Sequence, residues 1–181
     1  MKAASLDATD YQPHLALGWI YQQRGDFERS RRHLDRAEAL NPNDADLLIN
    51  KAIILSWQGD TDRAIELAQS AIRLNPYHPD WYLGYYSHCL MTARRYDEAL
   101  ALRASATSMF PEARVIMAIL YVQLGRMDEA RREVDELISS FSSHWLGEPT
   151  VTFFVKLMGG YKNQADVDIF SEALRKAGLP E

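Results

Sequence analysis

Cysteine is almost missing from this sequence: Cys89 is the only one in 181 residues, so no internal disulfide can form and packing must hold the fold. Its setting, Ser87-His88-Cys89-Leu90-Met91, suits a small buried apolar position in a reducing cytoplasm. Proline and glycine are scarce, seven and nine, and they fall singly between long apolar-periodic stretches, which excludes a low-complexity linker. No apolar run reaches the ~18 residues a membrane-spanning helix needs, and the opening MKAASLDATD lacks the apolar core of a secretory signal. Positive charge is not in excess either. Twenty Lys and Arg against 25 Asp and Glu give a net charge of -5, which excludes the broad basic face that displaces counterions from nucleic acid. The expectation is a cytoplasmic protein with neither nucleic acid nor membrane as a partner. Arg29, Arg31, Arg32 and Arg36 do cluster, but Asp26, Glu28, Asp35 and Glu38 interleave with them, as on a solvated, ion-paired helix face.

The patterns that carry chemistry are lacking as well. His14, His33, His78, His88 and His144 show no H-E-x-x-H spacing, and no Cys-x-x-Cys accompanies them, so no metal site is expected. The glycine pair at 159–160 stands beside Lys162 without the spacing of a phosphate loop and reads as a turn. There is no Gly-x-Ser-x-Gly elbow, and Cys89 has His88 only as its chain neighbour, whose side chain points elsewhere on a helix. The sequence therefore predicts no enzyme and no cofactor.

What is present is a repeat. LNPND at 40–44 returns as LNPYH at 74–78, an interval of 34 residues. GDFERS at 25–30, GDTDRA at 59–64, RRYDEA at 94–99 and GRMDEA at 125–130 then align as the second halves of four units. Each unit reads as an apolar-periodic helix, a turn at Gly25, Gly59, Arg94 or Gly125, and a second helix, usually stopped by a proline. Leu17, Gly18 and Tyr21, with Leu34, Ala37 and Pro42, match the tetratricopeptide pattern in the first unit, as do Ala52, Leu55, Ala64, Ala68, Ala71 and Pro76 in the second. Small residues at a helix crossing let the backbones approach while larger ones fill the surroundings. Helix starts are marked by Thr9 with Gln12 as a capping box, by Asn43, and by Pro79 as a first-turn proline. Two residues depart from the pattern: Lys51 replaces a large apolar residue and Arg103 an aromatic, and both must snorkel or shift the packing.

The chain thus resembles the tetratricopeptide repeat family over nearly its whole length. The implied fold is all-α, a right-handed superhelix of about four helical hairpins with C-terminal capping helices. The units predicted are 9–42, 43–78, 79–111 and an irregular fourth at 112–142, then a capping segment at 143–181 with helices near 150–158 and 164–177. In that last helix Asn163 reads as the N-cap and Gly178 as the stop. Residues 1–8 align with the end of a preceding repeat, Leu6 on Leu40 and Ala3 on Ala37, which suggests a piece of a longer parent. NPYHPDWYLGYY at 75–86, ARRYDEAL at 93–100 and EALRKAGLPE at 172–181 together resemble the C-terminal repeat regions of bacterial class III adenylate/guanylate cyclases. That resemblance implies the helical tail of a signalling protein and carries no catalytic residue onto this chain.

In such superhelices the first helices line a groove, here Gln12, Leu15, Trp19 and Gln23, then Asn50, Ile53 and Trp57, then Trp81, Tyr85, His88 and Met91. Aromatic anchors among amides suit a peptide, in trans or from an upstream domain in cis. Alternatively Trp19 and Trp57 pack between neighbouring repeats, as aromatic stripes at helical spacing do; the sequence keeps both readings open. Tetratricopeptide domains that clamp acidic chaperone tails use groove lysines and asparagines; only Asn50 fits, with Leu15 and Trp19 at the other positions, which counts against that clamp. The open functions are a regulatory or scaffold module of a signalling protein, a stand-alone peptide adaptor, and an oligomerisation element with a possible homodimer.

Overall fold

The computed structural model describes residues 10–106, 111–141, 147–157 and 160–181. Among them lie ten helices and no strand: α1 Gln12–Gln23, α2 Phe27–Leu40, α3 Ala45–Trp57, α4 Thr61–Leu74, α5 Asp80–Thr92, α6 Tyr96–Ala104, α7 Pro111–Gln123, α8 Met127–Ser140, α9 Val151–Leu157 and α10 Gln164–Ala177. The first eight pair as four hairpins; α3 and α5 are each sandwiched between helices of neighbouring hairpins, and α7 between the third hairpin and α10. The expected tail of a preceding repeat, residues 1–8, and the capping-box residue Thr9 lie outside the described residues.

One turn is used four times. In the second hairpin Gly59 N–H donates back to Ser56 O at 3.1 Å and Asp60 N–H to Leu55 O at 3.0 Å, closing the helix end with a left-handed residue, φ +87° at Gly59. Gly25 and Gly125 repeat this geometry, and so does Arg94, whose φ of +63° is one that a side chain disfavours by about 1 kcal/mol. What offsets that strain is the Arg94 guanidinium, which pairs with Asp166 of α10 and lies 5.6 Å from the centroid of the Phe170 ring.

Helix crossings follow from residue size. A Cβ on Gly18 would lie 2.6 Å from Leu34 Cδ2, so only glycine lets α1 and α2 approach this closely, and Ser30 Oγ ties the pair by donating to Gly18 O at 2.8 Å. Neighbouring hairpins are joined by tyrosine hydroxyls: Tyr11 donates to Asp44 at 2.8 Å and Tyr82 to Asp46. Burial and then Asp44 push the Tyr11 hydroxyl up to about 12, which keeps it a donor at ordinary pH.

Several helix starts differ from the sequence reading. The cap of α3 is Asp44, not Asn43, because its carboxylate accepts Leu47 N–H at 2.8 Å. Pro79 stands at the N-cap with extended backbone, and the helix begins after it. Asn163 is the N-cap residue of α10, yet makes no side-chain capping bond; its amide lies over Gly59, 2.8 Å from where a Cβ would sit.

The core runs continuously through the hairpins, from Leu34 and Ile49 through Tyr82 and Met91 to Ile119 and Leu137. Lys51 does not snorkel to water: its ammonium, only 4% exposed, is held by Asp35 and Glu38 of α2 at 2.5 and 2.6 Å. Arg103 is buried, with its guanidinium packed beside Gly84. Phe170, Leu174 and Ala177 bury α10 against α7, α8 and α9, and Gly178, φ +98°, ends it. Val151 N–H donating to Pro180 O at 2.7 Å pins the last residues to the start of α9.

Candidate functional site: the inner groove

The first helices of the hairpins present a common inner face, and seven of the residues named from the sequence meet there. Trp19 and Gln23 of α1, Ile53 and Trp57 of α3, and Trp81, Tyr85 and His88 of α5 line one cavity of about 360 Å³. Gly84, Arg103, Ala113, Ile116 and Leu157 complete its wall. The rings interlock edge to face: Trp19 on Trp57 at 5.4 Å, Trp81 on Tyr85 at 5.3 Å, and Trp57 on His88 at 5.9 Å between centroids.

The other four named residues stand elsewhere. Asn50 sits beside the cavity, where its Oδ1 accepts the Trp19 indole N–H at 3.3 Å and its Nδ2 donates to Asp46 O, so the amide orients a tryptophan. Leu15 packs against the core, and Gln12 is exposed in the first turn of α1. Met91 requires a correction. It is fully buried, because α5 turns His88 toward the cavity and Met91 into the packing between helices. Trp57, only 6% exposed, packs between helices and is also one of the cavity-lining residues.

His88 organises the polar side of the groove. Its Nε2 accepts the Trp57 indole N–H at 3.1 Å and the hydroxyl of Tyr161, which places the ring hydrogen of the neutral form on Nδ1. Burial pushes the imidazole down to about 3. Tyr161 stacks on His88 at 5.9 Å and meets Trp57 edge-on at 6.3 Å, and burial raises its hydroxyl well above the usual range. The Arg103 guanidinium is held below its usual value by burial, with the charge of Asp80 acting in the opposite direction.

Tyr161 belongs to a stretch the sequence reading did not place here. Residues 160–163, between α9 and α10, run across the C-terminal ends of α1, α3 and α5. Gln22 Nε2 donates to Gly160 O at 2.6 Å, and Lys162 N–H donates to Trp57 O at 2.9 Å. Gln22 is fully buried, and its side-chain Oε1 accepts from Gln58 Nε2 at 2.8 Å. Nothing in the spacing of α1 could have located Gln22 as a groove residue, since its partner lies 138 residues away. Arg103 had a signal, its departure from the repeat pattern. The site presents aromatic faces, the Gln22 amide and the Trp57 carbonyl are bonded to residues 160 and 162, and the Cys89 thiol, fully buried, is pushed up to about 12 and offers no nucleophile.

Helical hairpins repeating on one turn, with first helices lining a groove, define an α-solenoid, and the comparisons give the class a family. A tetratricopeptide repeat model matches residues 15–79 and 89–143, and a second one matches residues 58–110. The chain belongs to the tetratricopeptide repeat family, and its fold is the tetratricopeptide superhelix. A search of curated proteins finds no match. Among solved structures, pilF of Pseudomonas aeruginosa is similar at a TM-score of 0.63 and 19% identity, over 94% of this chain and 78% of that one. YrrB, described as a tetratricopeptide protein with an unusual peptide-binding site, is similar at 0.58 and 17%, over 97% and 89%. MamA is similar at 0.57 and 15%, over 92% and 89%. At such identities the likeness concerns the fold. Tetratricopeptide repeats mediate protein–protein interaction and are typically non-catalytic. Among the described residues no helix is long and apolar enough to cross a membrane.

Proposed function

We propose that this chain is a non-catalytic interaction module whose inner groove takes an extended peptide, with one bulky apolar side chain of that peptide seated in the cavity. The observation that carries the reading is the convergence of Trp19, Trp57, Trp81 and Tyr85 on a single cavity of about 360 Å³, roomy enough for one large side chain. Gln23, His88 and Arg103 supply the polar points around it. Rigid aromatic anchors give buried area at low entropy cost, which is how a small groove reaches useful affinity. The three stretches at 75–86, 93–100 and 172–181 support the finer reading that the module is the C-terminal, cytoplasmic part of a bacterial signalling protein such as an adenylate cyclase, acting on a partner protein or on its own upstream domain.

Selection of peptides from a random display library tests the reading. The selected sequences should share a Phe, Trp, Leu or Met anchor. Trp81→Ala and Tyr85→Ala should each weaken the best of them about tenfold or more, as loss of an interface anchor does. Peptides of full affinity for both variants would refute the groove reading.

A further inference from the structure

We infer that residues 160–163 are the groove's own ligand held in cis, and that the partner it takes is a segment with a small residue followed by tyrosine. This inference rests on the groove reading above and names the ligand class. Capping the fourth hairpin would require contacts to α7 and α8 alone, which α10 supplies. The preceding stretch does something else: it touches the C-terminal ends of α1, α3 and α5, the inner ends of three hairpins that α10 has no need to reach.

These contacts are those by which a groove reads a peptide main chain. The Trp57 carbonyl, left without a helical partner where α3 ends, accepts Lys162 N–H. The Gln22 amide, buried beneath the stretch, donates to Gly160 O. Two backbone groups, one donor and one acceptor, are therefore recognised whatever the side chains are.

Side-chain selection is readable at two positions. A Cβ at Gly160 would lie 3.2 Å from Gln22 O, tight against a backbone atom, so this subsite favours the smallest residue. The next position places a ring against the faces and edges of His88 and Trp57 and aims its hydroxyl at His88 Nε2. Lys162 is exposed and is chosen by neither. Trp57 and His88 also line the cavity, so the seat of Tyr161 adjoins it, and a peptide that takes both the cavity and that seat must displace Tyr161. Occupation in cis lowers apparent affinity for any such partner by the fraction of molecules with the stretch in place.

The test uses the full chain, its Tyr161→Ala and Tyr161→Phe variants, and a fluorescein-labelled peptide, acetyl-GYKNQAD-amide, the sequence of residues 160–166, read by anisotropy. Far-UV circular dichroism and a melting curve check that each variant is folded, and Tyr161→Phe, which keeps the ring and drops the hydroxyl, serves if the alanine variant is not. Expected is binding to Tyr161→Ala at least tenfold tighter than to the unaltered chain, with Tyr161→Phe between, and no binding of a peptide carrying alanine in place of its tyrosine. Equal affinity for all three chains, or failure of the peptide to bind any variant while the library-selected peptides still bind, overturns the inference and leaves the groove reading intact. Failure of both peptide sets overturns both. A dimer that dissociates on Tyr161→Ala in sedimentation would show that the stretch is exchanged between copies, and it also overturns the inference.

Discussion

Acid should destabilise this protein through His88, and the effect can be sized. The imidazole titrates at about 6.5 when the chain is unfolded and is pushed down to about 3 by burial in the fold, where its Nε2 accepts from Trp57 and Tyr161. A depressed folded value means that the neutral ring is the form the fold stabilises. The contribution is thus complete above about pH 6.5 and is lost progressively as pH falls toward 3. Between about pH 7 and pH 4.5 the linkage relation gives a loss of roughly 2.5 kcal/mol from this one group. Urea titrations at the two pH values measure it, and His88→Gln, which cannot titrate, separates it from every other group. The unaltered chain should lose about 2 kcal/mol more than the variant over that interval. Equal losses would show that His88 is protonated without cost in the fold, and the closed hydrogen-bonded arrangement around it would be wrong.

Substitutions at Gly18, Arg94 and Lys51 test the packing. Gly18→Ala gains helix propensity but drives a Cβ to within 2.6 Å of the fully buried Leu34, and overpacking should win by about 1–2 kcal/mol in a denaturant titration. Arg94→Gly relieves the left-handed strain but leaves the buried Asp166 carboxylate without its cation; the net should be a loss of about 1–2 kcal/mol, and Arg94→Gly in an Asp166→Asn background should lose less. Lys51→Met exchanges a buried ammonium for an apolar chain of similar length while Asp35 stays largely exposed and Glu38 keeps Arg63; stability should change by less than about 1 kcal/mol, whereas Lys51→Ala should lose about 2 kcal/mol or more, both read from urea midpoints.

The fold was legible because its signals agree at every level: the 34-residue interval, the glycine turns and the helical period all describe one hairpin. Boundaries were less so. Asn43 and Asp44 can both cap a helix, and only the bond to Leu47 N–H distinguishes them. Met91 was misplaced because it lies about 60° round the helix from His88, within the tolerance of a wheel drawn on one sequence. Lys51 and Arg103 announced themselves as departures, but the sequence held no sign that the first would find two carboxylates and the second would line a cavity. Least legible was the placement of residues 160–163. Their contacts with Gln22, Trp57 and His88 span most of the chain, and no local pattern encodes a pairing of that reach.

The central claim is that the inner face is the binding face, and photo-crosslinking tests it most directly. A library-selected peptide with a photoreactive group on its apolar anchor, irradiated with the full chain and mapped by mass spectrometry, should label α1, α3 and α5 at or beside Trp19, Trp57, Trp81 and Tyr85. Adducts confined to the outer helices α2, α4 and α8 would contradict it.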